Sequence, residues 1–321
     1  MPITETSARN LEHIETINGQ SVRLVSLSMG LTLFLPIPFR DVASAVRELF
    51  EQYLQLVPKT VFRWQSLGGT SNSYKPIASR AFSTIDGWLS LRRSYGSSCA
   101  IWLQDGPTDM GTGEHLFRLF GQDHANRPDD SGFLQIFFPW NLLETMGLEP
   151  LVTRLHQMLQ HLPFHSGYLG YTLGTSALDT IRPYSSIIAT KVYAAAQRYP
   201  GLEITKPHLE NYEMKAVLRP PSWITFLSHP FLEKLGGEKE LRGSLKGDFV
   251  FRPLEHGWSI QAGSEPRLGD RNRQEDVSQE QRTLARRLRP LLSDRPAVLF
   301  KEQAYEDTLS WMRRLAEDAA A

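Results

Sequence analysis

The chain has 321 residues, of which 41% are hydrophobic, enough for a substantial core and, at about 100–200 residues per domain, for two domains. Its 35 basic and 35 acidic residues give no net charge, which argues against a general nucleic-acid binder because such proteins usually carry a basic excess. The single cysteine, the polar N-terminus and the lack of a long apolar stretch exclude a disulfide scaffold, a secretory signal and a membrane helix, and favour a cytoplasmic protein.

The first half of the chain predicts strands with two intervening helices. Residues 1–20 are predicted to be a loose lead-in, and residues 21–37 to form one long or two short strands. After Asp41, which we expect to be the N-cap, apolar residues recur at helical spacing: Val42, Val46, Leu49, Phe50, Tyr53 and Val57. The segments CAIWLQ, EHLFRLFG and GFLQIFF then predict strands, and residues 148–162 a second helix. This order is typical of a split β-α-β, ferredoxin-like layout.

The second half predicts a shorter version of the same order. A linking helix is followed by a strand in EMKAVLRP, a helix in SWITFLSHPFLEKL that begins with Ser222, a hairpin in DFVFRPLEHGWSIQAG and a helix from Ser278 to Leu292. We therefore predict an α+β protein of two related halves, each an antiparallel sheet with helices on one face. The predicted halves are residues 21–178 and 203–321, and the linking helix lies within 179–202.

The glycine-rich stretch GWSIQAGSEPRLGDRNRQED, residues 257–276, invites a search for a ligand site. It lacks the glycine spacing of a phosphate loop, and from Asp270 onward it lacks the glycine and glutamate that an EF-hand requires. Alternation of apolar residues indicates a half-buried strand that ends near Gly263, and Ser278 with Gln281 forms a capping box for the next helix. We interpret the stretch as a structural corner.

Motifs for catalysis and metal binding are missing from the sequence. His156, His161 and His165 do not have the spacing of a shared zinc site, and there is no His-Glu-x-x-His or cysteine pair. Gly-x-Ser-x-Gly is also missing, and the adjacent carboxylates Asp129 and Asp130 lie in a polar loop. We therefore predict no catalytic residue, no metal and no cofactor.

Two alternatives to a non-enzymatic binding protein remain open. The first is a hydrolase or metal-dependent enzyme whose site is dispersed in sequence and includes His115, His124 and nearby acids. The second is a nucleic-acid-binding module that uses Arg282, Arg286 and Arg289, which the helical period places on one outer face.

A set of residues resembles a known bacterial family over about residues 22–292. The set comprises Leu31–Phe34 with Arg40, a predicted helix from Trp223 to Leu235-Gly236-Gly237, Ile260–Gly263 with Pro266 and Gly269-Asp270, and Leu288–Leu291. The family is the TsiV-like one, first described as a domain of unknown function and associated with immunity to type VI secretion effectors that carry the VRR-NUC nuclease fold. The resemblance implies a non-enzymatic protein that binds a cognate effector toxin and blocks its active site or its access to DNA, with no direct contact to nucleic acid. The matched residues are fold markers rather than binding residues.

The acidic segment from Gln104 to Asp130 is the predicted partner-binding surface. A nuclease has to attract phosphate, so its cleft is usually basic, and a carboxylate-rich surface speeds the encounter and fixes the orientation. Only two basic residues, Arg118 and Arg127, occur in this segment. We expect Met110 and Phe133 to supply apolar anchors. We predict effector contacts by the six acids of the segment: Asp105, Asp109, Glu114, Asp123, Asp129 and Asp130.

Overall fold

The computed structural model describes Ile3 and residues 5–57, 61–67, 74–77, 98–300 and 303–317. The first half contains α1 (Glu5–Leu11), β1 (His13–Ile17), β2 (Gln20–Leu35), α2 (Ala43–Leu56), β3 (Trp64–Leu67), β4 (Lys75–Pro76), β5 (Ser98–Gln104), β6 (Leu116–Gln122), β7 (Gly132–Pro139), α3 (Leu142–Met146), α4 (Leu148–Leu159) and β8 (Ser166–Thr175). The second half contains α5 (Tyr184–Arg198), α6 (Pro207–Glu210), β9 (Ile224–Ser228), α7 (His229–Lys234), α8 (Gly237–Ser244), β10 (Phe249–Leu254), β11 (Gly257–Ala262), α9 (Gln279–Leu288) and α10 (Tyr305–Arg313).

Within these residues the strands form one eleven-stranded sheet in the order β10-β11-β9-β8-β2-β7-β6-β5-β3-β4, with β1 paired to β2. Every pair of neighbouring strands is antiparallel. The prediction of an α+β fold with antiparallel strands is therefore confirmed. The β8–β9 ladder, in which Ser166 pairs with Leu227, joins the two predicted halves, so they share one sheet instead of forming two.

One face of the central sheet holds the main hydrophobic core. Side chains alternate along a strand, and one set of alternating β2 residues belongs to this core: Leu27, Met29, Leu31, Leu33 and Leu35. Helix α2 covers the face, with the rings of Phe50 and Phe117 at 4.6 Å between centroids. Tyr53 of the same helix donates a hydrogen bond from its hydroxyl to the carbonyl oxygen of Phe137 at 3.2 Å. The apolar stripe predicted for α2 therefore packs where its spacing indicated.

The opposite face of the central sheet is covered by the chain between α5 and β9. Thr172 of β8 donates to the carbonyl oxygen of Glu203 at 2.9 Å, and the hydroxyl of Tyr168 accepts from the backbone N–H of Arg219 at 2.8 Å. Phe34 of β2 is buried in a small cluster with Met214 of this segment. Because β2 is covered on both faces, the polar residues that alternate with its leucines are buried as well: Ser26, Ser28 and Thr32 are at most 4% exposed.

A buried ion network fixes this covering segment to the C-terminal helix. Arg219 donates to the Glu203 carboxylate at 2.6 Å and contacts Glu210, while Arg314 lies 3.8 Å from Glu203 and 3.6 Å from the centroid of the Trp311 ring. The four charged residues are at most 7% exposed. Burial lowers the pKa of Arg314 to about 9. Two guanidinium groups face two carboxylates, so the network satisfies charges that would be costly to bury alone.

The glycine-rich stretch is a corner, as interpreted. Gly263 ends β11 with a φ of +80°, and Gly269 has a φ of +64°. Asp270 accepts two hydrogen bonds from the Arg198 guanidinium at 2.8 and 2.6 Å, which ties the corner to α5. The predicted capping box between Ser278 and Gln281 is present at the start of α9.

Several local predictions were wrong. Residues 224–228 form β9 and not a helix beginning with Ser222, because they pair with both β8 and β11. Residues 213–220 were predicted as a strand, but residues 213–216 form turns, and Leu218 makes only an isolated bridge with Leu292. The first twenty residues hold α1 and β1 instead of a loose lead-in. Asp41 does not cap α2, whose N-cap residue is Val42 without a side-chain hydrogen bond.

Candidate functional site

The six acids predicted to contact a partner lie at the two ends of β6. Three belong to the connection from β5 to β6 and three to the connection from β6 to β7: Asp105, Asp109 and Glu114, and Asp123, Asp129 and Asp130, respectively. Strand β6 has seven residues, so the two groups are about 20 Å apart. The acidic segment is therefore two patches and not one continuous surface.

Two of these carboxylates hold their own loops in place. Asp105 accepts a hydrogen bond from the backbone N–H of His115 at 2.9 Å, and its other oxygen lies 2.7 Å from Nδ1 of the same histidine. Asp123 accepts from the backbone N–H of Arg40 at 3.3 Å and forms an ion pair with its guanidinium. These contacts explain both acids structurally, whether or not a partner also reaches them.

The loop between β6 and β7 presents one of its two adjacent aspartates to solvent. Asp130 is 2% exposed and accepts hydrogen bonds from the backbone N–H groups of Asn126 and Arg127, whereas Asp129 is exposed. Phe133, expected as an anchor, is 2% exposed within the hydrophobic cluster that also contains Phe34. Neither Asp130 nor Phe133 is accessible to a protein that docks on the folded surface.

A groove at the other end of β6 collects carboxylates from distant parts of the chain. It consists of a narrow cavity of about 340 Å³ and a wider one of about 850 Å³, which share Trp140 and Glu144. We call it the acidic groove and define it by five glutamates that line it, Glu5, Glu12, Glu114, Glu144 and Glu265; two arginines, Arg9 and Arg23, line it as well. Of the six predicted acids, only Glu114 lies in it.

Four separate parts of the chain build the acidic groove. Helix α1 brings Glu5, with Glu12 directly after its end, and the connection from β5 to β6 brings Glu114. The start of α3 places Glu144 just after Trp140. The corner after β11 supplies the last wall, because the positive φ of Gly263 turns the chain so that Glu265 and Pro266 line the narrow cavity. Sequence reasoning missed these residues because they lie far apart in the chain and each resembles an ordinary surface glutamate.

The narrow cavity combines apolar walls with negative charge. Tyr171, which lines it, is 6% exposed, and its pKa is raised well above the ordinary value, first by burial and then by the charges of Glu144 and Glu265. Its hydroxyl is therefore a neutral hydrogen-bonding group at physiological pH. Leu143 and Leu148 supply apolar surface beside it. Such a cavity suits a cationic side chain with a long apolar stem.

The wider cavity is incompletely neutralised. Arg9 pairs with Glu5 on the same helix, at i and i+4. Among the described residues, no lysine or arginine forms an ion pair with Glu12, Glu114 or Glu144. The groove thus presents unpaired carboxylates to the solvent, where they interact with approaching charges at long range.

The metal-site alternative is not supported by the positions of its histidines. His115 precedes β6 and is held by Asp105, while His124 follows the other end of the same strand. The two rings therefore cannot bind one ion. Within the part of the chain that the structure describes, no group of three or more histidine, cysteine, aspartate or glutamate side chains is arranged to hold a metal.

The prediction of an outer arginine stripe is wrong for Arg282, although Arg286 and Arg289 are exposed. Arg282 is 7% exposed, and its guanidinium donates to the Asp276 carboxylate at 2.6 Å and to the carbonyl oxygens of Arg314 and Glu317. It points into the protein and attaches α9 to the C-terminal helix. The alternative of a nucleic-acid-binding face therefore lacks Arg282, one of its three arginines.

An acidic groove with an apolar slot is typical of a protein that binds a basic partner. A model of the TsiV family, described as type VI immunity for VRR-NUC, matches residues 45–315, and the chain belongs to this family of type VI secretion immunity proteins. The Pseudomonas aeruginosa T6SS protein PA0821 has a similar fold, with a TM-score of 0.77 and 19% identity over 95% of this chain and 87% of that chain. Among curated proteins, none matches this chain. No helix in the described residues is long and apolar enough to span a membrane.

Proposed function

We propose that this protein binds a VRR-NUC nuclease effector in the cytoplasm and neutralises it without catalysing a reaction itself. The observation that carries the proposal is the match of the TsiV family over residues 45–315, since the family is described as immunity for VRR-NUC. A nuclease that reaches the cytoplasm threatens the chromosome of the cell that makes it, so an immunity protein has to bind it there. Blocking the active site or the access of DNA to it would suffice.

The acidic groove is the surface that best fits such a partner. The cleft of a nuclease carries positive potential because it binds a polyanion. Carboxylates of the acidic groove would attract that cleft at long range and orient it. In the proposed complex a lysine or arginine stem of the nuclease lies between Trp140 and Tyr171, with its charged end at Glu144 and Glu265.

Of the six acids expected from the sequence, two remain central to this proposal. Glu114 lies in the acidic groove, and Asp109 belongs to the same connection between β5 and β6. Asp105 supports that connection through His115. Asp123 and Asp129 lie about 20 Å away, beyond the other end of β6, and would take part only in an interface that extends past the groove.

The test is to reverse the charge of Glu12, Glu114 and Glu144 by substitution with lysine and to measure association with a purified VRR-NUC nuclease effector. We expect the association rate at low salt to fall by about tenfold or more, and its dependence on salt to flatten. Co-expression with the nuclease should then no longer protect the cell.

The matched control reverses the charge of three exposed acids outside the groove, Glu233, Asp294 and Glu306, in the same way. Both triple variants change the net charge equally, so a general electrostatic effect would lower the association rate of both with the nuclease. If the groove variant folds, associates at the normal rate and still protects, the interface lies elsewhere. If the wild-type protein does not bind the nuclease at all, the proposed partner is wrong.

A further inference from the structure

A second cavity, distinct from the acidic groove, lies between α5 and the central sheet, on the face opposite α2. It has a volume of about 50 Å³, and none of its lining residues belongs to the groove. Phe137 of β7, Ile188 and Val192 of α5 and Phe300 give it apolar walls, and Arg118 of β6 lies among them. We call it the Arg118 cavity.

Within the described parts of the chain, two polar groups of this cavity have no hydrogen-bonding partner. Arg118 and Gln135 are opposite each other in the β6–β7 ladder. Gln135 is 1% exposed; its Nε2 donates to Oγ1 of Thr32 at 3.3 Å, but its Oε1 is unpaired. The Nε of Arg118 is buried and also unpaired. Because an unpaired buried donor or acceptor destabilises a fold, native structures nearly always give such groups a partner.

The positive charge of Arg118 indicates what kind of ligand could pair with it. An arginine keeps its charge in proteins, and this guanidinium lies over the ring of Trp102, with 5.3 Å between its central carbon and the ring centroid. Among the described residues, no carboxylate forms an ion pair with it. This half-buried guanidinium lies at the wall of a mostly apolar cavity. An anion that also carries apolar surface would pair with the guanidinium and fit the cavity.

We propose that the Arg118 cavity binds a small organic monocarboxylate. The carboxylate accepts hydrogen bonds from Arg118, and a hydroxyl group on the ligand donates to Oε1 of Gln135. Its short apolar chain contacts Phe137 and the α5 side of the cavity. One water molecule requires about 10–15 Å³ of such space, so the cavity holds about three to five non-hydrogen atoms of the ligand, namely its short chain and hydroxyl, while the carboxylate lies at Arg118.

A peptide is a less suitable occupant. The cavity walls come from β6, β7, α5, the chain at Ile204 and the chain at Phe300, so it is surrounded by several segments and is too small for an extended backbone. The proposal does not depend on the effector-binding role, because the cavity and the acidic groove have no residue in common.

The experiment measures the melting temperature of the full chain with four probes: 2-hydroxybutyrate, butyrate, the uncharged butyramide and octanoate. A ligand that binds only the folded state raises the melting temperature, so we expect a saturable rise of about 2 °C or more with 2-hydroxybutyrate and a smaller one with butyrate. Butyramide lacks the charge and octanoate is too long, so neither should have an effect. Saturation-transfer NMR on the same samples reports contact with the ligand directly.

Two variants assign the site. Arg118→Gln should weaken 2-hydroxybutyrate binding by about tenfold or more, because it removes a charged hydrogen bond. Gln135→Leu should remove the preference for 2-hydroxybutyrate over butyrate and keep the binding of both. Arg313→Gln, at an exposed arginine of α10, is the control and should bind normally.

If Arg118→Gln does not fold, Val192→Phe supplies a second test by filling the cavity from α5, and it should also abolish binding. If Arg118→Gln or Val192→Phe binds 2-hydroxybutyrate as tightly as the wild type does, the proposal is overturned, since the carboxylate would then bind elsewhere. No binding of any carboxylate to the wild type would overturn it as well, and the cavity would be a hydrated void. Binding of a carboxylate-terminated peptide but of none of the four probes would replace the small ligand with a protein segment.

Discussion

Two groups of carboxylates in this protein have opposite surroundings. Glu203 and Glu210 are at most 4% exposed and are paired with Arg219 within the segment that covers the sheet. The glutamates of the acidic groove lie at the surface, and Glu12, Glu114 and Glu144 form no ion pair among the described residues. The same side chain thus stabilises the fold in one place and is available for a partner in the other.

The difference shows why a net charge of zero says little about binding. The chain has as many basic as acidic residues, but several arginines are used internally. Arg219, Arg282 and Arg314 are each at most 7% exposed; Arg219 and Arg314 lie against buried glutamates, and Arg282 pairs with the exposed Asp276. The buried network removes two arginines and two glutamates, so the acidic groove reflects an uneven distribution of the remaining charges over the surface.

The largest effect on stability should come from breaking the buried network. Substitution Arg219→Met leaves Glu203 and Glu210 buried without their cation, which costs about 3–5 kcal/mol of the free energy of unfolding. Urea unfolding followed by circular dichroism measures it. Arg289→Met, at an exposed position, is the control and should change the free energy by less than about 0.5 kcal/mol. A loss below about 1 kcal/mol for Arg219→Met would mean that the network does not stabilise the fold.

A smaller effect is expected at the corner that forms one wall of the groove. A side chain at Gly263 meets no atom closer than 3.4 Å, so the cost of Gly263→Val arises from its φ of +80° and amounts to about 1–3 kcal/mol. Gly263→Ala should also lower the free energy of unfolding, but by less, because alanine has a smaller side chain. Gly243→Ala is the matched control, because that glycine has no positive φ and no atom within 4 Å. Unchanged stability of Gly263→Val together with lost binding would make the corner a contact site instead of a structural turn.

The smallest effect on stability should come from neutralising the groove itself. The double substitution Glu114→Gln and Glu144→Gln keeps the side-chain volumes and removes two charges without ion-pair partners, so the free energy of unfolding should change by no more than about 0.5 kcal/mol. Thermal and urea unfolding check this. A loss above about 1 kcal/mol would show that these glutamates support the fold, and the contrast with Glu203 and Glu210 would disappear.

The sequence predicted the secondary structure well where periodicity reports burial directly. The apolar stripe of α2 depends only on neighbours along the chain, and this prediction was correct. The strand predicted at β11 is also present, but it is not half-buried, because Ser259 and Gln261 are 4% and 3% exposed. It failed at Ile224–Ser228, where every residue is buried and the apolar residues Ile224, Leu227 and Phe231 also have helical spacing. It failed again at Arg282, since helical spacing shows which residues share a face but not that the C-terminal helix covers this one.

By itself, the sequence determined the α+β class, most of the helices and strands, the corner at Gly263 and a family resemblance that the match over residues 45–315 confirmed. These features follow from local geometry and from residue patterns within single segments. Only the tertiary structure decided that both halves share one sheet, that the six predicted acids lie at opposite ends of β6, and that Glu12, Glu114 and Glu265 line one groove. The physical reason is that strand pairing and packing bring together residues far apart in the chain. No pattern within a single segment indicates which distant residues will meet.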